Sequence, residues 1–306
     1  MKDERRRGPI VGVGAAALAV PLAGALLFGA TGEARAPRLV VHATPSRPKQ
    51  GALVVLSVRS SRPLSELRIA GKPARAPLER GSNGMAFHGL VGIDLARAPG
   101  NLSLGFEGTE TDGSAFSGSY TLRVVSGRFP SEPLRVAPEF VEPPADALPR
   151  IDAERERVAS LWKAPEQPRR WAGPFRLPVE GALRDNFGAR RVFNGRPRSP
   201  HNGVDFPAPA GTPVRAPAPA RVALAEELYF SGGTVILDHG GGLFTSYFHL
   251  SRLEVAEGEL VREGQEIGAV GSTGRVTGPH LHWSARLEGA RVNPLFLLRL
   301  PSWPLP

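Results

Sequence analysis

Gly271-Ser-Thr-Gly-Arg-Val-Thr-Gly-Pro-His280-Leu-His282-Trp283 decides how the C-terminal third of the chain is read. Three glycines and a proline precede an alternating His-x-His, a pattern of loop followed by strand. Residues two apart project from one face of a strand, so His280 and His282 point into one cleft. Upstream, Phe244-Thr-Ser-Tyr-Phe-His249-Leu250 is a second strand-like run and brings a third histidine. Further upstream, His201-Asn-Gly-Val-Asp205 adds an imidazole and a carboxylate four residues apart. Gly and Pro are scattered through short strand-like runs with no helical period, so an all-β domain is expected here. Residues 244–250 and 281–287 should be antiparallel floor strands beneath an open groove suited to an extended peptide, with loops 194–200 and 271–278 as its walls.

A catalytic zinc takes three protein ligands from His nitrogen and carboxylate oxygen and leaves a fourth position for water, whose pKa it lowers. His201, Asp205 and His282 would fill those three positions. His249 and His280 are then left beside the metal to handle protons. A lone His-x-x-x-Asp or His-x-His is a weak signal, but both together, with a third histidine between and glycines flanking each, are a strong one. His239, in Leu237-Asp-His-Gly-Gly-Gly242, reads as a turn cap, and His42 and His88 lie among strand-like residues; no chemistry is assigned to these three. Tyr247, two residues before His249, and Asn194, in the loop entering the site, are candidates for substrate contact, with packing and turn formation as the competing readings. The Gly-rich loops lack the Lys-Ser/Thr ending and the following helix of a phosphate cradle.

These residues resemble the M23 (lysostaphin-type, LytM-like) zinc metallopeptidases, which cut peptide cross-bridges of bacterial peptidoglycan. The resemblance runs from about Leu177 to Leu298. It is carried, in order, by Phe187-Gly-Ala-Arg-Arg191, Ser199-Pro-His201-Asn-Gly-Val-Asp205-Phe, Gly211-Thr-Pro-Val-Arg-Ala-Pro217, Val235-Ile-Leu-Asp-His239-Gly, Tyr247-Phe-His249-Leu, Gly264-Gln-Glu-Ile-Gly268 and the 271–283 block. It implies one Zn2+ per chain held by His201, Asp205 and His282. It also implies that His249 and His280 activate water and stabilise the tetrahedral intermediate. The implied function is zinc-dependent endopeptidase action on stem or cross-link peptides of peptidoglycan in cell-wall remodelling. The rivals are a D,D-carboxypeptidase and a non-catalytic activator of cell-wall amidases; degenerate family members lose ligands, and this chain keeps all five groups. One departure is Ala220-Arg221, where the turn before Val222 commonly carries Gly in the family.

The 306 residues have room for two domains and extras, and the absence of cysteine excludes disulfides, thiol chemistry and an N-terminal lipid-modified cysteine. Lys2, Arg5, Arg6 and Arg7 precede an uncharged run from Pro9 to Thr31, so residues 1–36 are expected to be an export segment. That segment is either a cleaved signal, with Ala34-Arg-Ala36 or Ala30-Thr-Gly32 as the cutting pattern, or an inner-membrane anchor through residues 9–31. In both cases the bulk of the chain is expected in the periplasm or otherwise outside the cytoplasm. The net charge of +9 is spread thinly along the chain, with no basic or aromatic stripe, so nucleic-acid binding is not expected.

Residues 37–138 show six or seven short strand-like runs, divided by turns such as Ala98-Pro-Gly100 and Thr111-Asp-Gly113. They predict an immunoglobulin-like β-sandwich, a spacer or docking module resembling the β-domain that precedes some M23 peptidases. Residues 139–176 are read as a Pro-rich linker and a short amphipathic helix over 152–163, with 130–149 extended. Ile151, Val158, Leu161 and Trp162 form the helix's apolar stripe. This helix and Trp171-Ala-Gly-Pro-Phe175 are weighed as a gate beside the groove. The peptidase-like domain spans 177–300.

Overall fold

The computed structural model describes residues 24–25, 37–70, 78–163 and 167–302. The expected export segment lies outside them except for Gly24–Ala25, a two-residue strand paired with Val40 and Val41. No helix among the described residues is long and apolar enough to cross a membrane.

Six strands form the N-terminal sandwich: β1 (Leu39–Thr44), β2 (Leu53–Ser60), β3 (Leu64–Ala70), β4 (Ala86–Gly92), β5 (Gly100–Glu110) and β6 (Ala115–Val124). β1, β2 and β4 pair in that order, with Glu79–Arg80 on the far edge, while β3, β5 and β6 make the facing sheet. This is the partition of strands between sheets found in constant-type immunoglobulin domains. Alternation places Val54, Leu56 and Val58 of β2 against Leu104 and Phe106 of β5, all buried in one apolar cluster. Burying each such side chain stabilises the fold by about 1.5–3 kcal/mol, and this does the job a disulfide does in many such domains.

The β5–β6 hairpin, with strands of 11 and 10 residues, is longer than the short runs expected from the sequence. Gly105, Gly108 and Gly118 dilute the strand signal, but cross-strand packing replaces it: a Cβ at Gly108 would sit 2.5 Å from Phe116 Cζ, so that ring covers the glycine.

The segment after the sandwich corrects the expectation of an extended linker. β7 (Ser131–Leu134) pairs in parallel with β8 (Arg190–Phe193) of the C-terminal domain. Two short 3-10 turns follow, and then α1 (Leu148–Leu161), which begins four residues earlier than predicted because Pro149 is pre-shaped for a first turn. Val158, Leu161 and Trp162 pack on Leu224, Leu228 and Ile236 of the C-terminal sheet. Residues 131–161 are therefore a strap bound to that domain along its length.

The C-terminal domain is all-β. Its main sheet runs β9 (Gly203–Pro207), β14 (His280–Leu287), β12 (Leu243–Leu253), β11 (Gly232–Asp238) and β10 (Ala220–Leu228), every pair antiparallel. β13 (Glu266–Val270) also pairs with β12, and β15 (Ala290–Val292) with β14. Its core gathers Trp283, Tyr247, Phe206, Val235 and Leu281, and it continues into the sandwich through Leu53 and Leu95. A Cβ at Gly92 would meet Ala290 Cβ at 2.9 Å, so β4 lies flush against β15. Asp94 closes this junction by accepting from Arg291 at 2.7 and 3.1 Å.

Candidate active site

β9 and β14 run side by side with Asp205 opposite His282, so one ladder rung carries a carboxylate and an imidazole. His201, just before β9, completes the group. His201 Nε2, Asp205 Oδ1 and His282 Nδ1 lie 2.7, 3.1 and 3.2 Å from one another. Gly203 permits this approach, since a Cβ there would fall 2.6 Å from His282 Nε2 and 2.4 Å from the Trp283 carbonyl.

Protonation follows from the hydrogen bonds. His201 Nδ1 is 3.1 Å from the Asn186 carbonyl, which can only accept, so Nδ1 carries the proton and Nε2 presents a lone pair to the cluster. Burial is the main force holding His282 neutral, with its pKa pushed down to about 3. Burial works to raise the Asp205 pKa, but the adjoining His201 and His282 rings outweigh it and keep the carboxyl ionised, well below the usual range. Asn186 Nδ2 donates to Asp205 Oδ2 at 2.8 Å and fixes the carboxylate's other oxygen. Two imidazole nitrogens and a carboxylate oxygen thus converge within hydrogen-bond distance while almost wholly buried, an arrangement a divalent cation relieves and an apolar group cannot. The three residues fit a metal site.

His280 and His249 stand next to this trio. His280 shares the His282 face of β14, as the alternation predicts, and its Nε2 lies 3.8 Å from Asp205 Oδ1. Its Nδ1 is 2.8 Å from the Gly278 carbonyl. His249 reaches the site differently. Gly233 opposes Leu250 and Val235 opposes Tyr247, so β12 holds one extra residue there, a β-bulge. His249 has φ +66°, outside the usual range for a non-glycine residue, and the bulge turns its ring back toward His280, with centroids 4.9 Å apart. Its Nδ1 is 2.8 Å from the Thr273 carbonyl and so carries the proton. In its neutral form each flanking ring therefore presents Nε2 as the acceptor. Burial holds the His249 pKa well below its ordinary value.

The same bulge corrects the assignment of Tyr247. Regular alternation would put it on the His249 side, but it is fully buried on the core side, its hydroxyl 2.8 Å from Thr245 Oγ1. Thr245 is in turn 2.8 Å from His239 Nε2, and His239 Nδ1 reaches the Pro219 carbonyl at 3.0 Å. His239 is thus a buried core histidine rather than a turn cap, with its pKa pushed down to about 4 by burial.

Asn194 is also reassigned. At φ +49° in the turn after β8, its side chain accepts from the Val136 N–H at 3.1 Å and donates to the Val136 carbonyl at 2.9 Å. It clamps the strap and does not line the groove.

The groove itself has a volume of about 260 Å³. Asp205, His249 and His280 form part of its lining, Val276 and Pro279 come from the glycine-rich loop, and Leu134 and Val136 come from the strap. The expected gate is thus displaced: neither α1 nor residues 171–175 reach the groove. Trp171 and Phe175 are buried in the core, Phe175 against His239. The residues missed by sequence reasoning are Asn186, Glu132, Arg191 and Phe248. Glu132, on β7, is buried and accepts from Arg184 at 2.8 Å, and Arg191 spans the 3.8 Å to Glu132 and 3.4 Å to Asp205. Phe248 stacks face to face on His282 at 5.1 Å. Arg191 and Asn186 lie in or beside the 187–191 block, which was the available signal; nothing local marks Glu132.

An all-β domain with a His–Asp–His cradle and two further imidazoles at a groove defines a metallopeptidase-type site. Residues 199–294 match peptidase family M23, and the C-terminal domain is an M23 domain. Peptidoglycan DD-endopeptidase ShyA of Vibrio cholerae is 42% identical over 121 residues, 39% of this chain and 28% of that protein. DD-carboxypeptidase/endopeptidase Mpg of Neisseria meningitidis is 50% identical over 95 residues, 31% of this chain and 22% of that protein. The chain thus matches about a quarter of the length of these curated relatives. A crystal structure from Pseudomonas aeruginosa assigned to peptidase M23 is 29% identical and covers 82% of this chain and 95% of its own, with a TM-score of 0.62. That likeness extends beyond the M23 domain to the sandwich and the strap.

Proposed function

We propose that the chain is a zinc-dependent peptidoglycan endopeptidase that hydrolyses stem or cross-link peptide bonds outside the cytoplasm. The observation that carries this reading is the convergence of His201 Nε2, Asp205 Oδ1 and His282 Nδ1 beside two imidazoles whose Nδ1 atoms are tied to backbone carbonyls. Relatives named as peptidoglycan DD-endopeptidases support the substrate class.

One Zn2+ per chain would be held by His201, Asp205 and His282 and would supply Lewis-acid polarisation and a water of lowered pKa. The chain's own residues do the rest. Asn186 and Arg191 hold the Asp205 carboxylate from its outer side, which fixes the cradle before substrate arrives. His249 and His280 each have Nδ1–H tied to a backbone carbonyl, so each ring is held in one tautomer with Nε2 toward the groove. Of these two, one accepts the proton of the attacking water; the other, once protonated, donates to the oxygen that becomes anionic. His249, kept neutral by its buried setting, is suited to accept. The N-terminal segment would deliver the chain across the membrane, as anchor or as cleaved signal.

Digestion of purified sacculi by residues 37–306 tests the proposal. Soluble fragments with new amines, identified by mass spectrometry, are expected to vanish with chelator and return with zinc. Full activity in the metal-free protein would sink the mechanism. A second reading, carboxypeptidase action, is favoured by the name of the Neisseria relative, and release of free D-alanine distinguishes it.

A further inference from the structure

We propose that Arg275, gripped between Phe193 and Phe230 on the groove wall, is a subsite that receives a carboxylate of the peptide substrate. The inference rests on the hydrolase reading above and names a part of the substrate which that reading leaves open.

Arg275 sits in the glycine-rich loop before β14, and the loop is fixed from below. The Arg275 N–H donates to the Phe230 carbonyl at 2.8 Å. Gly274, at φ +69°, packs backbone to backbone on Gly232, where a Cβ would come within 2.5 Å of the Gly232 nitrogen. The guanidinium carbon lies 4.7 Å from the centroid of each of the two rings. Cation–π contact with both rings holds the group by its π-facing carbon and leaves N–H donors to reach a ligand.

The charges around it explain why a ligand is wanted. Arg275 is half-buried, and the charged groups that act on it are Arg191 and Arg198, both cations. Burial first, and then those two, press its pKa down to about 10, which still leaves it charged at neutral pH. The two carboxylates lining the groove are otherwise engaged: Glu132 by Arg184 and Arg191, and Asp205 by His201, His282, Asn186 and Arg191. Among the described residues Arg275 has no ion-pair partner. A guanidinium in this state offers a paired, charge-assisted contact to a carboxylate. His249 and His280 line the same groove, so the carboxylate belongs to a residue close to the scissile amide. It can come from an acidic side chain of the stem peptide or from a free C-terminus.

The test uses the zinc-loaded chain and a synthetic cross-linked dimer of two stem peptides, made with both carboxylates free, with either one amidated, and with both amidated. Affinity is read on dimers whose cross-link amide is N-methylated, and cleavage on the normal amide. The wild type is expected to bind the free form about 10–100-fold more tightly than one of the singly amidated forms, and which one identifies the source. Arg275→Met, which keeps the apolar stem between the rings, is expected to erase that preference and to bind the fully amidated dimer as the wild type does. Arg275→Lys, which keeps charge but not the fork, is expected to retain only part of the preference, and it carries the test if Arg275→Met lowers the melting temperature. Equal wild-type binding of all four forms, a uniform loss across them in Arg275→Met, or a full preference retained by either variant would overturn the subsite. If the wild type discriminates in binding yet cuts none of the dimers, the hydrolase reading falls and the subsite stands. If wild type and variants bind and cut all forms alike, the subsite falls and the hydrolase reading stands.

Discussion

The two β-domains solve burial in opposite ways. In the sandwich, Ser60 is the one buried polar residue among those described, and the apolar cluster is Leu, Val, Ile, Phe and Ala. The M23 domain buries Asn186, His201, Asp205, His239, His249, His282 and several hydroxyls in and around its nine-stranded sheet. An apolar interior is stable as it stands. A polar one is stable only when each group meets a partner, and the His201–Asp205–His282 trio has the geometry to find its own in a cation. The difference teaches that metal content should govern one half of the molecule and side-chain packing the other.

That contrast is open to direct attack. The largest effect is expected from His201→Ala or His282→Ala, which should strip the zinc measured by atomic absorption and cut peptidoglycan hydrolysis at least about 10³-fold. His249→Ala should keep its metal and still lose about 10²- to 10⁴-fold in kcat, separating the proton-handling ring from the cradle. Phe87→Ala should cost the sandwich about 3–5 kcal/mol in denaturant unfolding while zinc content and kcat of the folded protein stay unchanged. A matching fall in zinc affinity would show that the two interiors are not independent.

The smallest effect concerns the junction. The Asp94 pKa is lowered to about 2; burial opposes the shift, and hydrogen bonds from Arg291 and the Ala96 N–H outweigh it. A carboxyl depressed in the folded state stabilises above its unfolded value near 3.8 and loses that contribution as pH falls through about 2. The pair is partly exposed, so screening reduces its contribution to about 1 kcal/mol. Asp94→Asn should therefore remove about that much stability at pH 7 and flatten the acid limb between pH 4 and 2, as followed by circular dichroism.

Much of this architecture can be read from residues alone, and the failures share a cause. His280 and His282 alternate regularly, so His-x-His foretells their common face. Tyr247 and His249 obey the same spacing but are parted by a bulge opposite Thr234, a feature of strand pairing that no local pattern encodes. Sandwich strands show through their turns, whereas the length of the β5–β6 hairpin depends on Phe116 lying over Gly108 from the neighbouring strand. Glu132 reaches the groove because β7 pairs with β8 more than fifty residues away, and proline-rich composition gives no hint of that partnership. Asn194 is read from its loop as a substrate contact, but its amide is taken by Val136 of the strap.

The flush contact of Gly92 on Ala290, with Leu53 and Leu95 sunk into the neighbouring interior, makes the sandwich a bracket rather than a tether. Whatever surface grips that bracket also fixes the bearing and height of the cutting edge. A tool so mounted would work at a set distance from its holder and would reach new bonds only as the holder moved.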